Sequence, residues 1–160
     1  MTRVLGVDPG ATGALALLDT ETGALHIEDF PVILVKKASR AGKSSDISEI
    51  RLAEIVRALS PDVAWIERVH AMPKQGVSSS FSFGLSYGIV RGVIGGMGCP
   101  MLFVSPTEWK REFRLGFDKA QSRVLAGRLY PHNASVFSRV RDDGRAEAAL
   151  IATFGARYPL

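Results

Sequence analysis

One cysteine, Cys99, is the only thiol in this chain of 160 residues. Its isolation excludes an internal disulfide and a cysteine-rich zinc site, and it suits a reducing compartment. Histidine is nearly as sparse. His26, His70 and His132 are scattered along the chain and leave no spacing for a zinc-ligating cluster. Residues 1–20 are not expected to be a signal peptide: Met1-Thr2-Arg3 runs directly into a short apolar stretch that stops at Asp8. No long uncharged apolar run is present. The nearest approach, Val77–Gly98, contains Arg91 and is crowded in its first half by Ser78, Ser79, Ser80, Ser82 and Ser86. That content argues against a membrane span, although Gly84, Gly88, Gly92 and Gly96 recur every fourth residue on one helix face. The expectation is instead a buried helix, packed on the sheet or on a second subunit. Linkers, low-complexity tracts, internal repeats and Walker-type phosphate loops are all absent.

What the chain does have is an ordinary globular composition, 46% hydrophobic and 22% charged, in 17.3 kDa. This suits one domain spanning residues 1–160 and argues against disorder. The net charge of +4 is unevenly distributed. Residues 1–35 carry five acids and one base, whereas residues 106–160 carry ten bases and six acids. Arginine outnumbers lysine, 14 to 6, and the planar guanidinium fork matches phosphate. A nucleic-acid partner is one reading of this excess, and a solvated basic surface is the other.

Hydrophobic periodicity supplies the elements. Arg3–Asp8, Ala11–Asp19 and Ala24–Leu34 read as three strands joined by short turns, an antiparallel meander. Val35–Asp46, polar and rich in lysine and serine, reads as a loop. Ser48–Leu59 has helical spacing, and Ser60-Pro61 ends it. Val63–Ile66 and Met101–Val104 are buried-strand runs. Helices are expected at Pro106–Phe113, Lys119–Tyr130 and Arg145–Phe154. The later alternation of strand and helix calls for parallel pairing, so the expected fold class is α/β: a five-stranded mixed sheet flanked by helices.

Carboxylates mark the candidate site. Asp8 and Glu67 each close an apolar strand run, and the crevice of an open α/β sheet lies at the carboxyl ends of its strands. Two acids at parallel strand ends converge there; capping a turn or helix is the other role open to each. Glu147, Leu150, Ile151 and Phe154 follow the i, i+3, i+4, i+7 rule, so Glu147 heads the stripe facing the sheet. Asp143, four residues earlier, extends that face. Asp142 points roughly 140° away at about 100° per residue, and helix capping is open to both aspartates. An all-oxygen set suits Mg²⁺ or Mn²⁺. Two such ions about 4 Å apart activate a water and stabilise the leaving oxygen in phosphodiester hydrolysis.

Ordered motifs then carry a resemblance. Gly6–Gly10 (GVDPG) with ATGALALLD, Ile66–Gly76 (IERVHAMPKQG), Ser105–Lys110 (SPTEWK), Asp118–Ser122 (DKAQS) and Asp142–Ala152 (DDGRAEAALIA) together resemble the RuvC family of Holliday-junction resolvases, in the RNase H-like superfamily. The likeness covers nearly the whole chain and is strongest to compact phage-type members. It implies a ribonuclease H fold and a homodimeric, Mg²⁺-dependent endonuclease of the bacterial cytoplasm, with Mn²⁺ able to substitute. It implies cleavage of four-way junctions and related branched DNA to 5′-phosphate ends, with no membrane and no small-molecule substrate. Asp8 and Glu67 match the family's first aspartate and strand-end glutamate, and Glu147 matches the last acid of its final helix. Family spacing places the remaining acid at Gly144; here Asp143, four before Glu147, is the choice on helical geometry, with Asp142 beside it. Lys110 and Lys119 match the family's DNA-facing bases.

Arg68 and Lys74, just past Glu67, join those lysines as candidate phosphate contacts. His70 stands where some relatives carry an aromatic wedge, with Phe81 and Phe83 nearby as substitutes. Alternatives remain: a non-catalytic branched-DNA-binding protein, or an RNase H-like nuclease for forks, flaps or hybrids. Actin-like kinases share the glycine turn after a strand-end aspartate, but they need two such domains.

Overall fold

The computed structural model describes residues 2–10, 12–36, 43–70, 76–116 and 118–158. Strands β1 (Arg3–Asp8), β2 (Ala14–Asp19) and β3 (Leu25–Asp29) form the expected antiparallel meander. β6 (Val63–Glu67) and β7 (Met101–Val104) then add in parallel on the other side of β1, giving the order β3-β2-β1-β6-β7. Between them, β4 (Val32–Lys36) and β5 (Lys43–Ile47) pair into a separate antiparallel hairpin. The expected third strand is therefore split, because Pro31 withholds an N–H at the break. The expected loop Val35–Asp46 is partly strand. Its polar KSSDI segment has no apolar signature and is ordered by pairing with β4.

Helices cover both faces of the main sheet. α1 (Glu49–Leu59) is capped by the Ser48 side chain and ends at Ser60 in the left-handed region, φ 44°. With α2 (Val77–Gly96) it covers the face bearing Leu5, Val7, Leu15, Leu17, Ala64 and Ile66. On the opposite face, α5 (Asp143–Arg157) crosses β1 and β2, flanked by α3 (Pro106–Glu112) and α4 (Lys119–Leu129). Two short 3₁₀ segments, Pro131–Phe137 and Val140–Asp142, lead into α5.

Gly6 fixes how closely α5 approaches. A Cβ there would overlap the Ala148 carbonyl and the Ala152 amide, so the helix backbone rests directly on β1. Side-chain alternation puts Val4, Gly6 and Asp8 on the α5 side of the sheet, and Trp65 and Glu67 beside them.

α2 packs on the sheet along one face only. Only Val90 and Ile94 are buried; Val77, Phe81 and Leu85 are exposed. A Cβ at Gly84, Gly88, Gly92 or Gly96 would meet nothing within 4 Å, so the glycine face makes no contact with the chain's own sheet. No helix among the described residues is long and apolar enough to cross a membrane.

Candidate active site

β1 and β6 pair in parallel with Val7 opposite Ile66. Asp8 and Glu67 stand one position further on each strand, at neighbouring carboxyl ends. Both are buried, at 7% and 8% exposure. The close seat of α5 on Gly6 brings Glu147 over them, also 7% exposed.

The electrostatics record this crowding. Burial, followed by repulsion from Glu67 and Glu147, pushes the Asp8 carboxyl up to about 7 from its ordinary 3.8. The Gly10 N–H, donating to Asp8 Oδ1 at 3.0 Å, and the Lys119 charge offset part of that rise. Glu67 is also held above its usual range, chiefly by burial, with Glu147 adding to it. Opposing this are the Trp109 N–H, which donates to Glu67 Oε1 at 2.9 Å, and the charges of Lys110 and Lys119.

Cations approach from α3 and α4. Lys110 Nζ lies 3.4 Å from Glu147 Oε1, which has no aligned hydrogen-bond donor. Asp143 Oδ1 lies 3.1 Å from Arg123 Nε, again without hydrogen-bond alignment. Lys119 is the first residue of α4, after the Asp118 cap, and its charge acts on both Asp8 and Glu67. Arg68 is exposed just beyond Glu67. Lys74 lies outside the described residues.

Asp142 and Asp143 have different surroundings. Asp142 is 1% exposed and accepts from the Arg139 backbone N–H at 2.8 Å and from its guanidinium at 2.8 Å. Arg145 lies 3.4 Å away, and these bonds hold Asp142 below the usual carboxylate range. It ties down the 3₁₀ turn before α5 and makes no capping bond to that helix. Asp143 begins the helix proper and meets only Arg123 among the described ion pairs.

Donor chemistry in this pocket fits a hard divalent cation: buried carboxylates that repel one another, with one Glu147 oxygen lacking an aligned donor. Among the described residues, however, no group of three or more acidic, imidazole or thiol side chains is arranged to hold a metal ion. Gly10, Trp109, Lys110 and Arg123 each engage one carboxylate instead.

Sequence reasoning missed three participants. Trp109 lies in the expected helix Pro106–Phe113 with no role assigned to it; its signal is that a buried indole N–H usually finds an acceptor. Arg123 is one turn after Lys119, a spacing that puts both on one face of α4. Gly144 is the third. A Cβ there would overlap the Thr12 carbonyl and lie 3.1 Å from Asp8 Oδ2, so only glycine lets α5 begin against this loop.

No protein-family model matches the chain. Among curated proteins, the crossover junction endodeoxyribonuclease RuvC of Nitratidesulfovibrio vulgaris (strain Hildenborough) is 32% identical over 110 residues. That stretch is 68% of this chain and 64% of the relative, so the match spans less than two thirds of the relative's length. Among solved structures, T. thermophilus RuvC in complex with a Holliday junction superposes with a TM-score of 0.60 at 18% identity. It covers 98% of this chain and 94% of that one. The yeast mitochondrial Holliday junction resolvase Ydc2 superposes with a TM-score of 0.56 at 16% identity, covering 98% and 78%.

Proposed function

We propose that this chain, which shares the RNase H-like fold of the RuvC structures, is a RuvC-like, divalent-metal-dependent endonuclease that resolves four-way DNA junctions. One observation carries the reading: Asp8, Glu67 and Glu147 share one buried pocket that is too negative to stand alone, roofed by Lys110 and Lys119. A non-catalytic DNA binder gains nothing from such a pocket, because bare carboxylates repel phosphate.

Asp8, Glu67 and Glu147 would hold Mg²⁺, or Mn²⁺ in its place, with Asp143 as the fourth ligand once it leaves Arg123. Two such ions would supply an activated water and charge stabilisation at the leaving oxygen, and the products would carry 5′-phosphate ends. The protein's own groups position the strand. Lys110 and Lys119 neutralise the scissile phosphate's neighbours, and Arg68 and Lys74 extend that track beyond Glu67. The Gly10 N–H and the Trp109 N–H each fix one carboxylate oxygen and so orient the lone pairs left for the metal.

A four-way junction presents two equivalent strands, so the reading includes a two-fold homodimer. The unfilled face of α2, with Val77, Phe81 and Leu85 beside the glycines, is the proposed contact. His70, Phe81 or Phe83 is proposed to prise the junction open. The whole chain acts as one nuclease domain in the bacterial cytoplasm.

The test is a panel of end-labelled four-way junctions, forks, flaps, RNA–DNA hybrids and linear duplexes incubated with Mg²⁺. The proposal expects paired, ligatable nicks in the junction ahead of the others. Preferred cutting of forks, flaps or hybrids would move the chain to another branch of the same chemistry, and tight junction binding without cleavage would make it a binding protein.

A further inference from the structure

We infer that Trp109 is a positioning residue for this reaction, and that its single indole orients charged groups on both sides of the site. The inference rests on the nuclease reading and adds the device that holds its carboxylates.

Trp109 is fully buried on α3, packed among Val104, Leu150, Ile151 and Phe154. Its edge and its face do different things. At the edge, Nε1–H donates to Glu67 Oε1 at 2.9 Å. Over the face, Lys110 Nζ lies 5.1 Å from the ring centroid, while the same ammonium is 3.4 Å from Glu147 Oε1. Indole is a donor only, so the bond to Glu67 has one polarity and commits one carboxylate oxygen. The ring quadrupole attracts the ammonium and so restrains Lys110 toward Glu147.

The support beneath the indole is stiff. Ser105 and Glu108 form a reciprocal capping box at the start of α3, with Pro106 in its first turn. The strand feeding that helix pairs Val104 with Glu67 itself. Indole rotation would therefore require α3 to shift against β6.

Trp65 supplies the contrast. It lies on the same side of the sheet, edge-on to Phe154 at 5.3 Å, and its Nε1 has no partner among the described residues. The Trp65 N–H is buried without an acceptor, whereas Trp109 directs its own at a site carboxylate.

The chain has two tryptophans, so ¹⁵N labelling of the indoles gives one reporter and one internal control. In the metal-free chain, the Trp109 N–H should resonate downfield of Trp65 and exchange more slowly. Adding Mg²⁺ should move the Trp109 signal and leave that of Trp65 nearly unchanged. Trp109→Phe keeps the ring face and removes the donor. It should bind junction DNA within about twofold of wild type, raise the Mg²⁺ midpoint and lower kcat by about 10-fold or more, the usual cost of losing a partner that orients a metal ligand. Should that variant fail to fold, a Trp65→Phe chain carrying the benzothiophene isostere of tryptophan at 109 keeps the shape without the N–H, and the same losses are expected. A folded variant with wild-type kcat and Mg²⁺ midpoint, or a Trp109 resonance unmoved by Mg²⁺, would overturn the inference. A wild-type chain that cleaves nothing would instead sink the nuclease reading, while the indole titration still reports on Trp109.

Discussion

Gly144 faces Asp8 across the loop after β1: a Cβ added to Gly144 would lie 3.1 Å from Asp8 Oδ2 and would overlap the Thr12 carbonyl. The obstacle is backbone, which cannot swing aside as a side chain can. Gly144→Ala should therefore cost about 1–3 kcal/mol, as overpacking does, by lifting the start of α5 from the sheet. Because Glu147 is one turn further along, cleavage should fall more steeply than stability. Thermal unfolding measured beside junction cleavage checks this; an alanine variant with wild-type melting and wild-type rate would show that the contact does not set the site.

Asp8 makes a pH prediction with a definite sign. Its folded-state pKa of about 7 lies above the ordinary 3.8, so folding favours the neutral form. The stabilisation is complete below 3.8 and is lost as pH rises through 7, on the order of 4 kcal/mol at 1.36 kcal/mol per unit. Glu67 adds in the same direction. The metal-free chain should thus melt at falling temperature between pH 4 and 7, and Mg²⁺ should reverse the loss at pH 8. Asp8→Asn should flatten the profile and raise the melting point at pH 8. A flat wild-type profile would mean the pocket is wetter than its burial indicates.

Two adjacent aspartates should separate cleanly. Asp142 is buried beneath the exposed Arg139 and the half-buried Arg145, and its depressed pKa gives stability that is present above the ordinary carboxylate range and lost as pH falls through the folded value. Asp142→Asn should cost about 1–3 kcal/mol, because the buried carboxylate loses its charge-assisted bonds to Arg139, and should cleave in proportion to the folded fraction. Asp143→Asn should melt near wild type and lose cleavage. The reverse pattern in side-by-side assays would assign the ligand to Asp142.

Gly92→Leu tests the assembly. Its Cβ would meet nothing in the monomer, and leucine exceeds glycine in helix propensity by roughly 0.8 kcal/mol, so the fold should tolerate it. Sedimentation should show a dimer for the wild type and a monomer for the variant, which should nick single strands without paired cleavage. A wild type that is monomeric at micromolar concentration on junction DNA would refute the dimer.

Much of this architecture was legible because it follows from alternation and punctuation. Arg3–Asp8 and Val63–Glu67 are apolar runs that stop at an acid, and parallel pairing of those runs puts the acids side by side. The stripe of Glu147, Leu150, Ile151 and Phe154 likewise announced its own orientation. Contacts between elements distant in sequence were not legible. Nothing near Trp109 in the chain points to Glu67, 42 residues away. Gly144 looked like a missing acid, when the constraint there is the carbonyl of Thr12. For α2 the sequence left two packings open, and only the seat of Val90 and Ile94 on the sheet is seen within one chain.

The central claim is that the Asp8 pocket performs metal-dependent junction cleavage. The most direct measurement is cleavage of one end-labelled four-way junction by wild type and by Asp8→Asn, each with Mg²⁺ or with EDTA, with binding followed in parallel. The account predicts symmetric paired nicks only for wild type with Mg²⁺, and junction binding by both proteins. Cleavage by Asp8→Asn at the wild-type rate, or wild-type cleavage that persists in EDTA, would contradict it.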